Sequence, residues 1–190
     1  MWKVAALLFL WNFNPFSSNV QQDYLTKELH FSEQFYGNLI SVQSIGTTIA
    51  CVTYFFYCRR VPLGLLVHLS IATGVASTLT YWLVFDTASA VAASLIFGLA
   101  YQTGLLIQLD LAARVCPTES AGTMFALLMA ISNTGTTFGI YLGGGWYDGL
   151  AAALESRALA FHTLVGIGAA FTAACWLIVP LMKWAGVEWK

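Results

Sequence analysis

The chain has 190 residues, of which 58% are hydrophobic and 9% charged, with a mean hydropathy of +0.72 and a formal net charge of −1. A soluble domain carries about 25% charged residues, so a soluble globular protein is excluded, and no basic surface remains for nucleic acid. What is left is an integral membrane protein whose first partner is the lipid bilayer.

A chain in hydrocarbon must pair its backbone amides internally, and a helix needs about 20 mostly apolar residues to cross a core about 30 Å thick. Six stretches meet that demand, at about Val4 to Gln21, Phe35 to Tyr57, Pro62 to Phe85, Thr87 to Leu109, Gly122 to Tyr147 and Ala158 to Leu181. They lack the short alternating pattern of barrel strands. The expected fold is all-α, a single six-helix transmembrane bundle over residues 1–190. Aromatic residues gather near the predicted ends, at Tyr54 to Tyr57, Tyr81 and Trp82, Trp146 and Tyr147, and Trp184 and Trp189, the depth that amphipathic rings prefer.

The first segment is the richest in amides. Lys3 precedes an apolar run as in a signal peptide, but no small-residue cleavage pattern follows, so the segment is read as a retained helix. Asn12, Asn19 and Asp23 stand at i, i+7 and i+11, which at about 100° per residue places them on one stripe, with Asn14 and Gln21 on a neighbouring one. Pro15 removes a backbone hydrogen bond mid-segment, so a bend is expected there, and broken helices commonly line substrate cavities.

The third segment contains His68, but His30, His68 and His162 are scattered, and the cysteines at 51, 58, 116 and 175 have no ligand-like spacing. No metal, cofactor or catalytic set is therefore expected, and the chain does not read as an enzyme. His68 is either a proton-relay group or a neutral imidazole bonded within the bundle.

The fourth segment repeats the theme of the first, with Tyr101, Gly104 and Gln108 on one face, Gln102 beside them and Asp110 at the end. Three helices followed by three more, the first of each triplet polar, form the pattern of an inverted-repeat transporter half. The candidate substrate-binding residues are therefore Asn12, Asn19, Asp23, Tyr101 and Gln108, expected to face a shared cavity. Hydrogen bonding between helices is the competing explanation. Asp23 would bind a coupling proton or, near the exterior end, be a solvated carboxylate.

The fifth segment carries Gly135, Gly139 and Gly143 at four-residue spacing. Small residues on one helix face let backbones approach closely, so these glycines read as packing positions, with direct solute contact as the alternative.

Charge sets the orientation. If the amino terminus is cytoplasmic, Lys3, Arg59, Arg60, Arg114, Lys183 and Lys190 share the cytoplasmic side and only Lys27 and Arg157 lie outside. The expected location is the cell (inner) membrane, with both termini cytoplasmic. Asp110 and Arg114, four apart, could pair and join Arg59 and Arg60 in a cytoplasmic gate. Helix-end solvation and topology setting are the plainer account.

The segment Asp110 to Pro117, with Glu119, Gly122, Thr123 and the run Phe125 to Asn133, resembles the later half of the folate/biopterin transporter family within the major facilitator superfamily. Asn14 to Ser18 and Phe31 to Gly37 resemble the opening of the same half. Arg59 to Gly64 resembles the short basic loop between the second and third helices of each half, without its usual upstream glycine and aspartate. The resemblance implies about twelve helices in the family, of which this chain is similar to the second six. It also implies transport of a small organic solute by alternating access. A folate- or pteridine-like compound would be the solute, or another class carried by the superfamily, and a separate amino-terminal six-helix half or a second copy would supply the other wall. A non-transporting membrane scaffold or assembly subunit is the reading from another class.

Overall fold

The computed structural model describes residues 1–183, and every regular element in them is helical. Trp184, Trp189 and Lys190, expected near the membrane surface, lie outside the described residues, as does the side chain of Lys183.

The stretch expected as one helix bent at Pro15 is two short helices. Helix α1 (Trp2–Asn12) ends in an irregular segment, 13–17, before α2 (Ser18–Asp23) begins and runs on as a π turn over Tyr24–Glu28. The break has a local cause. Proline cannot donate to a helix and disfavours helical geometry in the residue before it. Asn14 supplies the substitute, its Oδ1 accepting from the Phe16 N–H at 2.9 Å. Eleven residues rise about 16 Å, so α1 ends after roughly half the thickness of a bilayer core.

The remaining helices are α3 (Glu33–Tyr57), α4 (Leu63–Leu79, closing in a 3₁₀ turn at Thr80–Leu83), α5 (Thr87–Val115), α6 (Ala121–Leu154) and α7 (Arg157–Lys183). Capping explains several starts. The Ser32 hydroxyl accepts from the Phe35 N–H at 3.1 Å, and α4 begins directly after Pro62. Asp86 and Ser89 form a reciprocal capping box, with Ser89 N–H donating to Asp86 Oδ1 at 2.7 Å and Asp86 N–H donating to Ser89 Oγ at 2.9 Å. Hydrogen bonds from Ser89 hold the Asp86 carboxyl below the usual carboxylate range. Glu155 ends α6 in the left-handed region at φ 51°.

Among the described residues five helices are long and apolar enough to cross a membrane: 33–57, 63–83, 87–115, 118–154 and 157–181. The chain is an α-helical multi-pass membrane protein. α3 packs on α5, α4 on α5 and α7, α1 on α6 and α7, and α6 on α7. Two apolar cores result, one near each end. Val4, Leu7, Leu8, Leu63, Leu111, Leu128 and Val179 fill the end where α1 starts. Val20, Tyr24, Leu39, Tyr81, Phe161 and Leu164 fill the other.

Lipid tails are as apolar as leucine, so close backbone packing rather than hydrophobic transfer holds these helices together. A Cβ on Gly46 would collide with the Leu95 carbonyl, and one on Gly98 with the Gln43 carbonyl, so α3 and α5 cross through reciprocal glycines. Outward faces are apolar, as Phe55 at 74% and Tyr141 at 79% exposure illustrate. Exposed hydroxyls there remain paired. Ser41, Ser44 and Thr48 on α3, and Thr134 and Thr137 on α6, each donate to the carbonyl four residues back.

Candidate functional site

The break in the first span leaves a cavity of about 380 Å³ between the two cores. Small-molecule sites span about 300–1,000 Å³, so the space suits a compact solute. Every crossing segment contributes to its lining: Asn12 from α1, Asn14 and Ser17 from the break, Gln21 from α2, Gln43 from α3, Ser77 and Thr78 from α4, Tyr101 from α5, Thr136 from α6 and Thr172 from α7. Ser18, Ile40, Thr136 and Ile140 are exposed and form the rim, whereas Ser17, Ser77, Thr78 and Thr172 are buried behind them. The cavity therefore opens between α3 and α6.

Three features shape its interior. Asn14 is engaged at both ends of its amide, with its Nδ2 donating to Thr78 Oγ1 at 3.0 Å while its Oδ1 holds the Phe16 N–H. The break is thereby pinned to α4. An aromatic wall runs from Trp11 to Tyr101, centroids 5.6 Å apart, and on to Phe97, 5.4 Å further and only 6° from parallel. Trp11 is itself fixed, since its Nε1–H donates to the Ser70 carbonyl at 3.1 Å and its indole lies against Gly74 and Gly104. Finally, Gln21 donates to the Tyr81 hydroxyl at 2.8 Å. Among the described residues that line the cavity there is no Asp, Glu, Lys, Arg or His.

The structure brings Asn12 and Tyr101 to this cavity and places the other three expected residues elsewhere. Asn19 is exposed and outside the lining. Asp23 lies at the far end of the bundle, paired with Lys27 at 2.5 Å and with Arg157 at 2.8 Å. Gln108 is only 2% exposed and neither atom of its amide has a partner. It sits between Ile107 and Leu111, both wholly buried, the latter in the core against α1. The spacing of Asn12, Asn19 and Asp23 presumed one continuous helix, and the break at 13–17 resets the angular phase. Gln43, Ser77, Thr78 and Thr172 carried no clear signal, because a lone hydroxyl in an apolar helix is satisfied by its own backbone.

Gly135, Gly139 and Gly143 form a seat for the last turn of α1 and the break that follows it. A Cβ on Gly135 would lie 2.5 Å from the Phe9 carbonyl oxygen and one on Gly139 2.6 Å from that of Asn14, while one on Gly143 would overlap the Pro15 carbonyl. The unwound backbone thus rests directly on α6.

Charged residues occupy the ends. Arg114 grips Asp110 through two bonds, Nε to Oδ1 at 3.0 Å and Nη2 to Oδ2 at 2.8 Å. Asp110 also accepts from the Tyr54 hydroxyl at 3.3 Å, and Arg114 reaches the Cys58 carbonyl at 3.5 Å. This cluster ties the end of α5 to that of α3, beside a loop in which Arg59 and Arg60 are exposed. At the opposite end Asp23 joins α2 to α7. Both of its partners are partly exposed, so replacing Asp23 with Asn is expected to cost less than about 1 kcal/mol. That loss should shrink further in high salt, as a thermal melt of the purified protein at low and high ionic strength will measure.

No group of three or more His, Cys, Asp or Glu side chains that would hold a metal occurs among the described residues. A folate-biopterin transporter from Synechocystis sp. is 26% identical over 136 residues, covering 66% of this chain and 28% of the relative. The chain is thus matched to little more than a quarter of the length of that curated relative. No solved structure matches it. The sequence profile of the BT1 family matches residues 1–184, nearly the whole chain, and the chain belongs to the BT1 family.

Proposed function

We propose that this chain forms one six-span half of a secondary transporter for a small organic solute of the folate or pteridine type. The observation that carries this reading is the cavity at the discontinuity of the first span, where amides, hydroxyls and stacked aromatics converge at the depth where α1 ends. Family membership and the name of the Synechocystis relative point the same way, towards transport rather than catalysis. In this reading α1 and α2 together make the first of six spans. Two of the contacts follow the pattern of a 3+3 inverted repeat, with α1 on α6 answering α5 on α3 and α7 on α1 answering α4 on α5, whereas α6 on α7 has no comparable α3 on α4 counterpart. A second six-helix half completes the wall on the α3 and α6 side, and rocking of the halves gives alternating access.

The clustering of cations at one end supports reading that end as the cytoplasmic face. Lys3 Nζ donates to the Leu181 carbonyl at 2.6 Å, and Arg114 reaches the 58–62 loop, so these cations cluster at one end.

One labelling experiment tests both points. In a Cys-free version in native membranes, cysteines at Asn12, Ser77 and Tyr101 should react with a small aqueous thiol reagent, and folate or biopterin should slow them. Cysteines at the lipid-facing Ile96 and Leu177 should stay inert. A cysteine at Arg60 should react only from inside the cell. Cavity cysteines as inert as the lipid-facing ones, or indifferent to every solute, would leave a non-transporting scaffold as the better account. Labelling of the Arg60 position from outside would reverse the orientation.

A further inference from the structure

We infer that one outward face of α3 and the turn after it form a docking site for an anionic phospholipid, with the headgroup phosphate on Arg59 and Arg60 and an acyl chain along α3. The site is separate from the cavity and does not depend on what the cavity holds. Three observations carry it.

The first is a pair of unpaired cations on a fixed turn. The Arg60 N–H donates to the Tyr57 carbonyl at 2.9 Å, the Val61 N–H donates to the same carbonyl at 3.2 Å, and Arg114 reaches the Cys58 carbonyl at 3.5 Å. The turn is thereby tied both to the end of α3 and to α5. Arg59 and Arg60 are exposed on it, and among the described residues neither has a carboxylate partner. Asp110 is engaged by Arg114 and by the Tyr54 hydroxyl, and Glu119, exposed in the turn before α6, pairs with neither arginine. A guanidinium fork matches the oxygens of a phosphate.

The second is the surface beside these arginines. Ile45, Ile49, Val52 and Phe56 are exposed and recur every three or four residues, so they form one apolar row that runs down α3 to the turn. The row lies across the helix from Tyr36 and Gln43, which line the cavity, so it faces lipid and not the solute path. From Ile45 to Phe56 the helix rises about 16 Å, the depth of one leaflet of a core about 30 Å thick. An acyl chain lying on the row thus places its headgroup at the turn.

The third is the contrast between the two ends. The exposed acids Glu28, Glu33, Asp86, Asp148 and Glu155 stand at the far end, where the cations Lys27 and Arg157 are both held by Asp23. An anionic headgroup meets like charge there and opposite charge at the turn after α3.

The test titrates lipid against the thermal stability of the purified chain in a nonionic detergent, because a lipid that binds the folded state raises the melting temperature as it saturates. Phosphatidylglycerol should stabilise at a lower concentration than phosphatidylcholine with the same acyl chains. Glycerol 3-phosphate, which has the phosphate without the chains, should have no effect. One arginine beside an anionic headgroup contributes about fivefold in affinity. Arg59→Gln and Arg60→Gln should therefore each raise the phosphatidylglycerol concentration needed about fivefold, and the two together about twenty-five-fold. Replacing both with lysine keeps the charge and should keep the lipid preference, which separates loss of the site from poor folding. Lys27→Gln, which removes the same charge at the far end, should leave the preference intact. Equal stabilisation by the two lipids, a preference that survives the double Gln variant, or an equal loss in Lys27→Gln would overturn the site. Stabilisation by glycerol 3-phosphate would overturn it as well, by assigning the arginines to a soluble phosphate compound.

Discussion

Replacing Gly143 with alanine is expected to be the most damaging single-methyl change in the protein, whereas the same change at Gly144 should be tolerated. A Cβ at Gly143 would overlap the Pro15 carbonyl, with the backbone carbon and Cα of Pro15 close behind. Nothing lies within 4 Å of the corresponding position on Gly144. A flexible side chain would rotate out of the way, but the obstacle here is backbone, locked by the proline ring and by the hydrogen bond of Asn14 to α4. Overpacking of this kind costs about 1–3 kcal/mol, a substantial part of a total stability of about 5–15 kcal/mol. A loss of 2 kcal/mol would lower the melting temperature by about 4–8 °C for a chain of this size. The comparison to make is thermal aggregation of the two alanine variants in detergent. Equal melting of both would mean that α6 does not seat the break.

Replacing Asn14 with alanine should also unfold part of the protein, through lost hydrogen bonds instead of a clash. The side chain satisfies two groups at once, accepting from the Phe16 N–H and donating to Thr78 Oγ1. The Phe16 N–H is the more serious loss, because Phe16 is 9% exposed and an orphaned buried amide costs about 1–3 kcal/mol. Thr78 is less affected, since its hydroxyl still donates to the Gly74 carbonyl at 3.1 Å. Serine at position 14 can keep an acceptor for the Phe16 N–H, more weakly and without adding a charge, so its stability should fall between asparagine and alanine. The informative measurement is the melting temperature without solute beside uptake by the assembled transporter. If uptake collapsed while both variants melted normally, Asn14 would contact the solute and would not be the residue that holds the break.

Together these variants separate two roles that share one region. Gly139 and Gly143 support the unwound segment from α6 while Gly135 supports the last turn of α1, and Asn14 ties the segment to α4. Asn12, Ser17 and Gln21 line the cavity beside it. A rigidly held irregular backbone beside a polar cavity is what a membrane protein requires if exposed carbonyls are to exist at mid-depth without facing lipid.

The sequence by itself determined the membrane class, the apolar spans, an irregularity at Pro15 and a single small-residue face on the glycine helix. Each follows from a rule that acts within one segment: backbone pairing in hydrocarbon, the missing N–H of proline, and the recurrence of one helix face about every four residues. Which amides meet was decided only by the tertiary structure. Asn12 reaches the cavity and Asn19 does not, because the break between them cancels the helical phase on which their spacing depended. Asp23 finds its second partner in Arg157, 134 residues away, a distance over which no local pattern carries information. The glycine face likewise left its neighbour open, since a stripe without side chains accepts any close backbone. Here the neighbour is the carbonyl row of Phe9, Asn14 and Pro15, brought there by the packing of α1 on α6.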